Sequence, residues 1–168
     1  MTIEVKRSTI RNPTASRFSH SENSNPGYPY GRGNYKGEEM EHILIILIAI
    51  KQAVKQSHWN ATSYQDHLLG ERLLEDIEDY IDEVAEIANI NKEETNLDAK
   101  YLLEEASDFL EKKDYNDIRS IGGLFYALLQ ELNELEDKAV IIGIKDIYSR
   151  LSNATLRKLY LINTQAGK

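Results

Sequence analysis

The chain has 168 residues, enough for one domain with a proper core, and its 20 basic and 28 acidic side chains leave a net charge of −8. With a pI near 5.1, that balance excludes a protein that coats nucleic acid with its whole surface. Cysteine is absent, which removes any disulfide framework or thiol chemistry and fits a reducing cytoplasm.

The charge is unevenly placed. Residues 1–37 carry Lys6, Arg7, Arg11, Arg17, Arg32 and Lys36 against Glu4 and Glu22, a net +4 that leaves −12 for the remainder. They also hold all three prolines and have no hydrophobic period, so a flexible or extended basic arm is expected there. Phe18, Tyr28, Tyr30 and Tyr35 lie among the basic groups. Such interleaving suits phosphate contact with base stacking, and nucleic acid is the partner it would imply. It equally suits an ordinary terminus, or one that packs on a neighbouring subunit. The polar amino terminus predicts no signal peptide. The longest apolar run, Ile43 to Ile50, is far shorter than the roughly 20 residues a membrane span needs. A cytoplasmic protein without a membrane partner is the expectation. Asn60-Ala61-Thr62 and Asn153-Ala154-Thr155 match the glycosylation sequon and, with no secretion signal expected, are read as accidental.

Residues 38–168 predict an all-α domain. Glu38, Glu39 and Glu41 favour a helix start, and Met40 to Asn60 is apolar almost all round until Ala49-Ile50, as in a helix buried between others. Ser63-Tyr64-Gln65-Asp66 is a capping-box variant that opens a second helix. Leu69, Leu73, Ile77, Tyr80 and Val84 carry that helix over about 27 residues, to near Asn89–Asn91. A shorter helix is predicted over Asn96–Lys113, a long one over Asp117–Asp137, and a last one over Val140–Asn163. No proline or polar turn marks the break between the last two, and neither an internal repeat nor a strand pattern appears. Four long helices, with a short one between the second and third, predict a four-helix bundle with a long crossover, the ferritin-like connectivity.

Two histidines and three acids carry the candidate chemistry. His67/Glu71 and Asp82/Glu86 are each an i,i+4 pair, so each presents two ligands on one helix face. His58 closes the first helix. Imidazole with carboxylate and no thiolate suits iron, manganese or zinc. On one straight helix His67 and Asp82 stand about 22 Å apart and cannot share an ion. A second copy running antiparallel across a two-fold axis would bring the His end of one chain to the carboxylate end of the other. Each residue alone has a plainer reading: His58 as a C-terminal helix cation, Trp59 as core, and the i,i+4 pairs as solvated surface. His20 and His42 lie outside the pattern. No phosphate loop, nucleophile triad or His-Glu-x-x-His motif occurs, and the Glu-x-x-His pair of within-subunit di-iron sites is missing after His67.

Lys55-Gln56-Ser57-His58-Trp59-Asn60, His67 with Glu71, and Ile81-Asp82-Glu83-Val84-Ala85-Glu86 together resemble the Dps mini-ferritins, the DNA-binding proteins from starved cells. Asp146-Ile147-Tyr148 and Leu156-Arg157-Lys158-Leu159-Tyr160 are similar, more weakly, to that family's last helix. The resemblance implies a ferroxidase: a hollow homo-dodecamer built from two-fold dimers, which oxidises Fe(II) with hydrogen peroxide or oxygen and stores the ferric product. It implies His58, His67 and Glu71 of one subunit meeting Asp82 and Glu86 of its mate, with Trp59 beside the iron to intercept oxidising equivalents. Manganese or zinc would suit the same ligands. This chain departs from the family in three places: the turn between the histidines is three residues shorter, Glu71 stands where Asp is common, and Leu68 replaces a frequent Glu. Its arm is also poorer in lysine. The alternative expectation is a ferritin-like assembly or DNA-packing protein with a weak or silent metal site.

Overall fold

In the computed structural model the described residues are 37–91, 95–111, 115, 117–139 and 141–166. Every regular element among them is helical: α1 (Gly37–Trp59), α2 (Tyr64–Leu74), α3 (Ile77–Ala88), α4 (Ala99–Glu111), α5 (Gly122–Lys138) and α6 (Ile142–Gln165), with a 3-10 turn at Asn89–Asn91. The predicted arm, except for Gly37 which opens α1, lies outside the described residues.

α1 is the centre of the packing. Helices α2, α3, α4 and α5 all rest on it, and α6 packs on α5 and α2. This is why its sequence has so little polar face: Met40, Ile43, Leu44, Ile46, Leu47, Ala49, Ile50, Ala53 and Val54 are each no more than 2% exposed. A helix surrounded on several sides has no solvent stripe to fill with charge. Burying each large aliphatic side chain contributes about 1.5–3 kcal/mol relative to exposure. Leu124, Phe125, Leu128 and Leu132 of α5 and Ile144, Tyr148 and Leu151 of α6 complete the same core.

The predicted second helix is in fact two. The apolar period runs on through Leu69, Leu73, Ile77 and Val84, all buried. The backbone, however, turns out of the helix at Glu75 (φ −52°, ψ 133°) and passes through a left-handed residue at Asp76 (φ 64°, ψ −3°) before α3 begins. Aspartate is one of the few non-glycine residues that visits this region with modest penalty. The break is held from α6: the buried ammonium of Lys158 donates to the carbonyl oxygens of Arg72 (3.3 Å) and Glu75 (2.6 Å). It supplies a cation and hydrogen bonds where the last carbonyls of α2 lack helical partners.

The N-terminus of α2 starts as the sequence predicts. Ser63 is the N-cap; its hydroxyl accepts from the Asp66 amide (3.0 Å) and donates to the Asp66 carboxylate (2.8 Å).

Cross-helix contacts fix the chain directions. Gln65 and Arg72 reach Gln165, Lys158 reaches Glu75, and Arg150 reaches Glu83, so α6 runs antiparallel to α2 and α3. At one end Arg119, just before α5, donates to the Ala166 carbonyl at the close of α6. At the other end Thr95, just after α3, donates to the Ala88 carbonyl, while Asn96 and Tyr101 donate to Glu41 near the start of α1. α4 therefore follows a segment tied to the start of α1, α5 opens at the opposite end, where α6 closes, and α4 packs on α1.

Candidate metal centre

His58 lies in the last turn of α1 and His67 in the first turn of α2, and the short turn at 60–63 folds the two helix ends together. Their rings meet with centroids 4.1 Å apart, tilted by 41°, and their Nε2 atoms are 3.2 Å from one another. Glu71, one helical turn beyond His67, brings Oε1 to 3.7 Å from His67 Nε2. One ligand atom from each of the three residues lies within 4.8 Å of the other two, and they are the single group of that kind among the described residues.

The spacing is what one divalent ion requires. Two nitrogens 3.2 Å apart, each bonded at about 2.0–2.2 Å, subtend roughly 95–105° at the ion, near both tetrahedral and octahedral values. The donor set of two imidazoles and a carboxylate suits a borderline divalent cation such as Fe(II), Mn(II) or Zn(II). In the absence of an ion the same 3.2 Å separation is a hydrogen bond, in which one neutral ring donates from Nε2–H and the other accepts. The site is open: the side chains of His67 and Glu71 are 46% and 56% exposed. A bound ion would therefore keep positions free for an external ligand.

The remaining residues singled out in the sequence are not brought into this group. Asp82 and Glu86 stand exposed on α3, beyond the break at Glu75–Asp76. The estimate of about 22 Å from His67 to Asp82 assumed one unbroken helix, and the break removes that premise. Arg150 of α6 holds the neighbouring Glu83 through both guanidinium nitrogens and also bonds Asp146, so the register of α3 is fixed beside Asp82. Glu83 first, then Asp146, raise the Arg150 pKa. Trp59 follows His58 directly but is 74% exposed, so the core reading of it is incorrect. His42 pairs with Glu131 at 3.3 Å, far along α1 from His58.

Gly70 escapes a search for ligands. It is buried in α2 between His67 and Glu71, and a Cβ built on it would lie 2.8 Å from the Cβ of His58. An interior helical glycine costs about 1 kcal/mol against alanine. Its isolated place in the apolar period was the available signal, since such a glycine calls for a packing or functional reason.

No family model matches the chain, and no curated protein matches it either.

Proposed function

We propose that the chain is a subunit of a Dps-like mini-ferritin: a ferritin-like bundle that oxidises Fe(II) as its substrate and stores the ferric product within a homo-oligomer. The observation that carries this reading is the convergence of His58, His67 and Glu71 from two helices onto one ion-sized point. The lengthwise crossover through α4 supports the ferritin-like assignment, because that connection separates ferritin-like bundles from up-down-up-down ones.

In this reading Asp82 and Glu86 of a two-fold-related copy face the histidine set of the first chain, completing two equivalent sites per dimer. The imidazoles and Glu71 hold the substrate ion, and the added carboxylates offset the charge that grows as it is oxidised. Two Fe(II) ions each give up one electron to a single peroxide, whose O–O bond breaks to give two hydroxides. Trp59, exposed beside His58, is positioned to take up stray oxidising equivalents. The dodecameric count, the cytoplasmic setting and DNA contact through residues 1–37 belong to the same proposal and rest on the family resemblance.

The test is to mix metal-free protein with Fe(II) under anaerobic conditions, add hydrogen peroxide, and follow ferric absorbance. Wild-type protein should oxidise iron much faster than buffer. The His58→Ala/Asp82→Ala double variant should lose that advantage while still assembling. Oxidation by the double variant at the wild-type rate would reject the assigned site.

One observation favours a second reading. Within the chain Asp82 and Glu86 are not brought to the group that His58, His67 and Glu71 form. An assembly or DNA-packing protein with a silent metal site tolerates that separation without needing a partner to restore the set. In that case wild-type protein oxidises iron no faster than buffer, and deleting residues 1–37 abolishes a salt-sensitive DNA affinity.

A further inference from the structure

We propose that Gly70 is a positioning residue of the metal centre: its missing side chain seats His58 against α2 and so sets the distance between the two imidazoles. The inference rests on the reading of His58, His67 and Glu71 as metal ligands, and it concerns what holds them in place.

The contact is between backbone-near atoms. A Cβ at position 70 would stand 2.8 Å from His58 Cβ, 3.3 Å from its Cα and 3.3 Å from its Cγ. None of these is the free end of a flexible chain, so relief requires the last turn of α1 to move as a body. Three other helix glycines differ: Gly122 would make an ordinary 3.6 Å contact, and Gly123 and Gly143 would meet nothing within 4 Å. Absence of a side chain is structurally used at Gly70 and unused at the others.

Its place in the sequence ties that contact to the ligands. Gly70 lies three residues after His67 and one before Glu71, so α2 touches α1 between its own two ligand positions. What it touches is the residue bearing the third ligand. The 3.2 Å between Nε2 atoms is therefore set by the closeness of two helix backbones and needs no long reach by either ring. Sites held on rigid elements in this way are sensitive to displacements of a few tenths of an ångström. A methyl group at position 70 forces at least that much, while leaving all three ligands chemically intact.

The experiment uses the full chain and Co(II) alone as probe, followed by visible absorbance. Gly70→Ala is expected to weaken Co(II) binding at least tenfold and to change the shape of its spectrum. Leu132→Ala is the control: this α5 side chain is wholly buried and adjoins Glu131, the partner of His42 toward the start of α1. It should lose as much thermal stability or more, yet keep the Co(II) affinity within twofold. A second measurement isolates the contact. In a His58→Gly background, which removes the atom met at 2.8 Å and leaves only the 3.3 Å contact to Cα, Gly70→Ala should become markedly less destabilising, helix propensity then working in its favour. In a His58→Ala background it should remain destabilising.

Unchanged Co(II) affinity and spectrum in Gly70→Ala would overturn the proposal. So would an equal destabilisation in the His58→Gly and His58→Ala backgrounds. Failure of the wild-type chain to bind Co(II) would reject the metal reading itself, and the positioning role with it.

Discussion

The ammonium of Lys158 and the carbonyl oxygen of Glu75 are 2.6 Å apart, a contact between α6 and the end of α2 that holds the chain at its one left-handed residue among the described non-glycine positions. Burial lowers the Lys158 pKa from the ordinary 10.5, against the opposing pull of Asp76 and Glu75. The cost of the buried charge is thus offset at a helix terminus, where its hydrogen bonds have no other donor. Lys158→Met keeps the aliphatic stem and removes the cap, and should lose about 1–2 kcal/mol in urea unfolding. The pH dependence has a definite sign. With the folded-state pKa below the unfolded one, the native chain binds fewer protons between the two values, so stability rises with pH up to 10.5. The wild type should gain on Lys158→Met across that window, and parallel curves would contradict the assignment.

Asp76 itself offers a test by a different route. A non-glycine residue in the left-handed region carries a steric cost of roughly 1–2 kcal/mol that glycine escapes, less the entropy glycine adds to the unfolded chain. Asp76→Gly should therefore raise stability by up to about 1 kcal/mol. Asp76→Ala should lower it. The two changes remove the same carboxylate, so opposite signs isolate the backbone effect from loss of the charge near Lys158.

Tyr101 reports on the crossover. Its hydroxyl donates to Glu41 at 2.8 Å, and that bond, ahead of burial and the charges of Glu41 and Glu105, raises its pKa from 10.0 to about 12. A raised folded-state value means the contribution is fully present below pH 10 and disappears as pH climbs through about 12. Absorbance at the phenolate band should include a late component near pH 12 that shrinks by one tyrosine in Tyr101→Phe, while the late signal of Tyr115 and Tyr148, which burial also raises, persists. If the substitution leaves the titration unaltered, the Glu41 contact does not hold in solution.

The proposed sharing of an iron site between two copies of the chain would have its own signature. His58→Ala and Asp82→Ala homo-oligomers should each be inactive. Co-refolding equal amounts gives mixed dimers in which one of the two sites has both defects and the other has none. Random pairing should then restore about a quarter of the wild-type oxidation rate. A mixture as inactive as its parents would mean that the histidines and Asp82 do not meet across a two-fold axis.

The helices were legible where periodicity and caps agree. Ser63 with Asp66 announces α2, and the run from Met40 needs a surrounded helix because no other element tolerates so continuous an apolar surface. The all-α class followed from the helical periods and the lack of any strand pattern. The break at Glu75–Asp76 was not legible. Leu69, Leu73, Ile77 and Val84 keep their period across it, no glycine or proline stands between Leu73 and Ile77, and the Lys158 that caps it lies over eighty residues away in sequence. The turn between His58 and His67 is short, yet it brings their Nε2 atoms to 3.2 Å. That outcome depended on Gly70, a residue with no side chain to suggest chemistry.

The left-handed step at Asp76 also alters what residue numbers mean. In an unbroken helix each residue advances the rotation by about 100°, so positions fifteen apart keep a fixed offset of roughly 60°. A single residue outside the helical region resets that phase, and positions counted across it no longer keep a common angular frame. The directions taken by Asp82 and Glu86 therefore depend on α3's own packing against α1 and on Arg150, independently of their count from His67. Residue insertions at 75–76 would change no established phase, whereas one inserted at 70 would rotate Glu71 away from the histidines.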